Sequence, residues 1–313
     1  MKGIKPLILI IGAGLVGLIL VNGVYAQEGA RGLSISPLTF ELTANPGDVF
    51  TNKLKVYNPT ESTIAIKMEV EDFTVIGEMG KVIIEPAETE TYSLVKWITT
   101  EPETFTLGPR EQKFVDFTIN VPENAEPGGK YGSVLASTAG VMGEEITGVA
   151  VAQKIGALVL LTVSGEVIES LIVKEFITPS FLEYGPIPFT IRFENTGTVH
   201  VRPRGFVTIT NWRGRKVADV EFPQSNVIPG SIRKIKTTFP EKWLLGKYTA
   251  TLVGSYGTAN LPFNPPVLTF WVLPWKIALG IFLTLVLIIA FFVKTGKRWK
   301  MALRVLFKGE QIE

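Results

Sequence analysis

The sequence predicts an all-β exterior held between two apolar ends. Three observations lead there. Apolar and polar residues alternate in short runs, turn-forming residues punctuate those runs, and long apolar stretches occur near the two termini. Period two buries one face of a strand and wets the other. Short strands separated by turn signals point to antiparallel sandwiches.

Residues 1–26 carry the three parts of an export signal. Lys2 and Lys5 supply positive charge, Leu7 to Val21 is apolar, and Val24-Tyr25-Ala26 offers small residues where a signal peptidase reads. Cleavage is expected after Ala26. The rival reading keeps this segment as a second membrane helix, but the run is shorter than the ~20 residues that span a bilayer comfortably. GAGLVG at 12–17 has the letters of a dinucleotide-binding loop. It lacks the βαβ setting and the acidic residue that such a loop needs.

The next stretch, 27–165, reads as one sandwich domain and 166–271 as a second. In the first, Ile64, Ile66, Met68 and Val70 alternate with Ala65, Lys67 and Glu69. Val115, Phe117, Ile119 and Val121 alternate with Asp116, Thr118 and Asn120. In the second, Phe189, Ile191 and Phe193 alternate with Thr190, Arg192 and Glu194. NPGD at 45–48, NPTES at 58–62, PGG at 127–129, ENTG at 194–197 and WRGR at 212–215 mark turns. The boundary is placed near Gly165.

An internal repeat ties the two halves together. A strand ends in Asn58 in one and in Asn195 in the other. LGPREQKFVDFTI at 107–119 resembles IPGSIRKIKTTF at 228–239, and GKYGSVLAS at 129–137 resembles GKYTATLVG at 246–254. Immunoglobulin-like sandwiches carry a tyrosine near the start of a late strand that hydrogen-bonds back to the main chain. Tyr131 and Tyr248 are placed for that role, so the expected fold is two tandem immunoglobulin-like β-sandwich domains.

Residues 272–293 read as a transmembrane helix, with Leu273 to Val293 nearly all apolar and long enough for one crossing. Trp271 and Trp275 stand at its outer rim, and Lys276 can snorkel outward. The tail, 294–313, holds Lys294, Lys297, Arg298, Lys300, Arg304 and Lys308. Basic residues beside a span stay in the cytoplasm. The exterior is therefore expected outside the cell membrane with the tail inside, where it suits a short helix on the inner leaflet.

Charge and composition narrow the function. Between residues 27 and 271 there are 22 Lys+Arg against 27 Asp+Glu, the wrong sign for a nucleic-acid binder. There is no cysteine, so no disulfide, thiol nucleophile or cysteine-linked lipid is possible. The single histidine, His200, stands alone and reads as a surface or edge-strand imidazole. No calcium loop or nucleophile elbow is present, and a glycosidase pair among the many carboxylates is not visible from spacing. No catalytic, cofactor-binding or metal residue is assigned; binding is expected, not catalysis.

Several segments remain to be placed. Residues 138–150 read as a hairpin loop, a mobile connector in preference to a binding surface. The excursion at 76–105, with few clear strands, includes Trp97, read as its anchor to the core. Ala157–Val163 (ALVLLTV) is either a central strand or an exposed apolar edge. An exposed edge is what a strand-donating assembly chaperone would use.

Export signal, two sandwich domains, one span and a basic tail together resemble the WxL-interacting surface proteins of Gram-positive bacteria. NPGD…KLKVYNPTEST, LGPREQKFVDFTINVP and PGGKYGSVLAS are similar to that family's first domain. FENTGTVHVRPRGFVTI, VIPGSIRKIKTTF and LLGKYTATL are similar to its second. The resemblance implies binding of cell-wall polymer or surface proteins by the first domain and of a further partner by the second. Two WxL tripeptides occur, Trp243-Leu244-Leu245, read as core, and Trp271-Val272-Leu273, read as membrane rim. The rival to a surface binding protein is a membrane-tethered assembly factor or chaperone.

Overall fold

The structure, a computed structural model, describes residues 32–86, 90–139 and 153–308. The expected export signal, the GAGLVG segment, most of the 138–150 connector and the last five residues lie outside them.

Two stacks of β-sheet follow one another. The N-terminal stack contains β1 (Ser34–Ser36), β2 (Thr39–Ala44), β3 (Val49–Tyr57), β4 (Ile64–Glu71), β5 (Phe73–Ile76), β6 (Lys81–Ile84), β7 (Ile98–Glu101), β8 (Thr104–Leu107), β9 (Gln112–Asn120), β10 (Gly128–Ala139) and β11 (Lys154–Val163). One sheet runs β1-β3-β9-β7 and the other β2-β11-β10-β4-β8. The alternating residues named above turn inward. Val115, Phe117 and Ile119 of β9 meet Ile66 and Met68 of β4 in a single core.

The C-terminal stack contains β12 (Leu171–Ile177), β13 (Phe181–Leu182), β14 (Ile187–Asn195), β15 (Arg204–Asn211), β16 (Lys216–Glu221), β17 (Ile232–Phe239), β18 (Gly246–Tyr256), β19 (Leu261–Pro262) and β20 (Leu268–Val272). Its sheets are β12-β14-β17 and β13-β20-β18-β15-β16, with β19 beside β18. Phe189, Ile191 and Phe193 of β14 are fully buried in its core. In both stacks the first strand begins antiparallel in one sheet and continues parallel in the other, as β1 then β2 and as β12 then β13.

The repeat read from the sequence has a physical basis at two asparagines. Asn58 and Asn195 are both fully buried. Each side-chain amide donates to the carbonyl four residues on, Ser62 at 2.7 Å and Val199 at 2.8 Å. Each also reaches across to the later turn, at Leu107 and Gly108 in one case and Val227 in the other. Each side-chain oxygen accepts from the amide two residues on, Thr60 or Gly197. One buried asparagine thus satisfies main-chain groups of two loops at once.

One open alternative is resolved and three expectations change. Ala157–Val163 is internal, because β11 lies between β2 and β10. The excursion at 76–105 is richer in strand than expected, holding β6, β7 and β8. The helix α1 (Trp275–Lys308) begins later than residue 272, because Phe270 and Val272 are buried sheet residues that hold β20 in place. It then continues without a break through the basic tail instead of starting a separate surface helix. Residues 275–294 are long and apolar enough to cross a membrane, and none of that stretch is buried within the protein.

Candidate functional site

The junction of the two stacks is concave, and the 76–105 excursion contributes Tyr92 and Glu78 to it. The hairpin of β5 and β6 leans onto the sheet β12-β14-β17. Glu78, at its tip, takes the Arg192 guanidinium in a forked pair, with Nε to Oε2 at 2.9 Å. Arg192 also reaches Glu175 at 3.1 Å. The hydrogen bonds from Arg192 hold the Glu78 carboxyl below the usual carboxylate range. The Glu78 carbonyl accepts from the Lys234 amide at 2.6 Å, so the hairpin covers part of the open edge of β17. On the opposite side Arg202 pairs with Glu41, and Asn226 donates to the same carboxylate at 2.6 Å.

These pairs are partly exposed, so solvent and salt screen them. The apolar contact between them matters more. Phe73, Tyr131 and Leu160 are buried together, with Val75, Leu158 and Ile228 packed against them. Ile228 belongs to the C-terminal stack and the others to the N-terminal one. A cavity of about 390 Å³ opens beside this cluster, lined by Asp72, Phe73, Tyr92, Tyr131 and the turn 228–231. Tyr92 is exposed, with its ring 6.3 Å from that of Tyr131. The junction therefore offers an aromatic wall, a carboxylate and main-chain polar groups in one hollow.

Tyr131 and Tyr248 divide the role expected of both. Tyr248 keeps it: its hydroxyl and the Leu245 main chain lie 3.3 Å apart in both hydrogen-bonding directions. Tyr131 does not. Its hydroxyl is buried with no hydrogen-bond partner among the described residues. Its ring packs against Phe73 and His200 at the junction. Burial pushes its pKa far up. Gly129 makes room, since a Cβ there would collide with the Tyr131 ring and hydroxyl. Replacing Tyr131 with phenylalanine removes an unsatisfied group. Stability should stay level or rise by about 1 kcal/mol, read as the urea midpoint of the full chain.

His200 is half-buried at the junction, not free at the surface. It sits 5.8 Å from the Tyr131 ring, with Nδ1 enclosed and unpartnered among the described residues. Burial lowers its pKa; the Glu41 charge pulls it up and Arg202 pushes it down. A lowered folded-state pKa means the unfolded chain takes the proton first. Stability is then greatest above about pH 6.5, the ordinary histidine value, and falls as pH drops toward the folded-state pKa. His200→Gln should flatten this part of the profile in urea titrations between pH 5 and 8.

Trp97 anchors the excursion as read, packing against the N-terminal core. Lys130 holds it too, donating from Nζ to the Thr91 carbonyl at 2.6 Å, and burial lowers its pKa. The tripeptide Trp243-Leu244-Leu245 is not core as expected. Only Leu244 is buried; the loop turns Trp243 and Leu245 to solvent. Trp271 is exposed and Val272 buried, with Trp271 close to the start of α1.

One groove gathers carboxylates, with Glu69, Glu71 and Glu103 beside β7. Lys154 bridges Glu69 at 2.7 Å and Glu71 at 2.5 Å. The hydrogen bond from Lys154 lowers the Glu69 pKa, whereas a general acid needs it raised. Among the described residues no group of three His, Asp or Glu side chains is arranged to hold a metal ion.

No protein-family model and no curated protein matches the chain. Among solved structures it is similar to the class 5 fimbriae chaperone CfaA, at 13% identity and TM-score 0.38, over 78% of this chain and 100% of that one. It is similar to the periplasmic chaperone SfaE at 12% identity and TM-score 0.37, over 77% and 100%. The CupB2 chaperone of Pseudomonas aeruginosa follows at 9% identity and TM-score 0.35, over 76% and 100%. At these values the likeness is remote.

Proposed function

We propose that the chain is a single-pass membrane-anchored protein whose exterior binds cell-envelope partners, cell-wall polymer or envelope proteins, through two immunoglobulin-like domains divided near Gly165. The strand order supports the immunoglobulin-like reading, because each stack opens with a strand that switches sheets and closes with the last strand beside it. The apolar, unburied stretch 275–294 supports the anchor. The basic residues that follow support an outside-first orientation. The resemblance to WxL-interacting proteins agrees with this reading.

The observation that carries the binding role is the junction hollow. It is open and lined by the exposed Tyr92 ring, and clasped contacts on either side fix its walls. Ligand sites favour such concave, largely pre-formed aromatic places.

The second reading is a membrane-tethered assembly factor. Donation of Ala157–Val163 to a client is closed to it, since both sides of β11 are paired over Leu158–Val163. What favours it is the same hollow, which suits a peptide segment as well as a glycan.

Full-length protein in mild detergent, mixed with isolated cell walls and separately with envelope extract, separates the two. Sedimentation with bare wall, reduced severalfold by Tyr92→Ala, is the result expected of a polymer binder. Capture of particular envelope proteins alone, with the same dependence on Tyr92, supports the assembly reading. No association in either arm overturns binding.

A further inference from the structure

The end of the C-terminal stack nearest α1 is apolar and basic where a solvent-facing rim would be neutral and polar. Trp212 is 65% exposed, Trp243 63% and Leu245 66%. They come from two separate loops, the turn between β15 and β16 and the segment before β18. Register brings both loops to the same end. Gly246 pairs with Val272 and Asn211 with Tyr248, so both loops emerge beside the last residues of β20. The Trp212 indole lies against Gly246. Trp271 and Trp275 are exposed beside them.

Each of three indoles carries a cation over its face. Arg213 lies 4.4 Å from the Trp212 ring, Lys242 5.6 Å from Trp243 and Lys276 5.7 Å from Trp275. Residues 27–271 as a whole are acidic, yet this rim adds Arg213, Arg215 and Lys242. Exposed indoles with cations beside them are the chemistry of a bilayer interface, where one part of the ring is dry and the other wet.

Geometry leaves the rim little freedom to be elsewhere. Only Leu273 and Pro274 separate β20 from α1. The Leu182 carbonyl accepts from the Leu273 amide at 2.9 Å, and Lys276 pairs with Glu183 at 3.0 Å. The helix is therefore braced against the sandwich from its first turn, with the tryptophans at the level where the apolar stretch starts.

We propose that Trp212, Trp243 and Leu245 rest in the headgroup layer of the outer leaflet, with lipid phosphates meeting Arg213, Arg215 and Lys242. The exterior then stands on the membrane by two contacts, helix and rim. This rests on the reading of α1 as a membrane span, so the test reads the two separately.

The chain has no cysteine, so each single-cysteine variant takes one nitroxide label and no native cysteine has to be removed. Full-length Leu245→Cys, Ala259→Cys and Leu285→Cys are labelled and reconstituted in vesicles of phosphatidylglycerol and phosphatidylcholine. Ala259 lies beyond the far end of β18 and Leu285 in the middle of the apolar stretch. The Leu245 label is expected to be severalfold less accessible than the Ala259 label to a water-soluble nickel chelate, and more accessible to oxygen. A Leu285 label in lipid with a Leu245 label as wet as that at Ala259 overturns the rim contact and leaves the anchor standing. A wet Leu285 label overturns the anchor, and the rim with it. Adding Arg213→Glu, Arg215→Glu and Lys242→Glu to Leu245→Cys should raise chelate access; unchanged access overturns the phosphate contacts.

Discussion

Asn195→Ala is expected to destabilise the C-terminal sandwich by about 3 kcal/mol, because each buried polar group left without a partner costs roughly 1–3 kcal/mol. Two groups lose theirs. The Val199 carbonyl loses its donor at 2.8 Å and the Gly197 amide its acceptor at 2.8 Å. The Val227 carbonyl loses the Asn195 donor at 2.7 Å but keeps the Val201 amide at 3.1 Å. Asn195→Asp keeps the shape but turns a carboxylate toward two carbonyls, and should be no milder. Asn58→Ala should cost less than Asn195→Ala, because some of the groups it serves lie near solvent and water can replace it. Urea unfolding followed by tryptophan fluorescence checks the order. A loss well under 1 kcal/mol at Asn195 would show that the loops close without the amide.

Phe193→Ala should cost about 3–5 kcal/mol, the range for emptying a fully buried aromatic position. Phe193 is completely enclosed, with its ring 5.2 Å from Phe263 and 5.8 Å from Phe222. Phe263 and Phe222 lie outside the strands, so the cavity would also loosen the segments that carry them. Phe193→Leu refills much of the volume and should recover a good part of the loss. Equal losses for Ala and Leu would mean that the ring contacts matter and the volume does not.

Much of the strand pattern was open to reading because alternation is a local property. Val115, Phe117 and Ile119 face the core for the same reason that Asp116 and Thr118 do not. The two asparagines were also legible, since each opens a turn at the same place in its half. The junction was not. Tyr131 and Tyr248 share the string Gly-Lys-Tyr, and what separates them is a second sandwich lying against the first. His200 could be placed on an extended segment but not beneath a neighbour that comes from residue 131. ALVLLTV read as an apolar strand, central or edge, because nothing local shows what lies beside it. Trp243 misled because an indole in a WxL string looks like core until the loop's exit from the sheet is known. The candidate site is tertiary in the same sense: Tyr92 and the turn at 228–231 are remote in sequence.

The two-residue join between β20 and α1 has a mechanical consequence. A pull between the C-terminal sandwich and α1 loads β20 along its own axis, while its ladder bonds to β18 and β13 run across that axis. The strand is therefore loaded in shear, and its bonds must give way together instead of unzipping one by one. Tension passes from the sandwich into the helix with little slack.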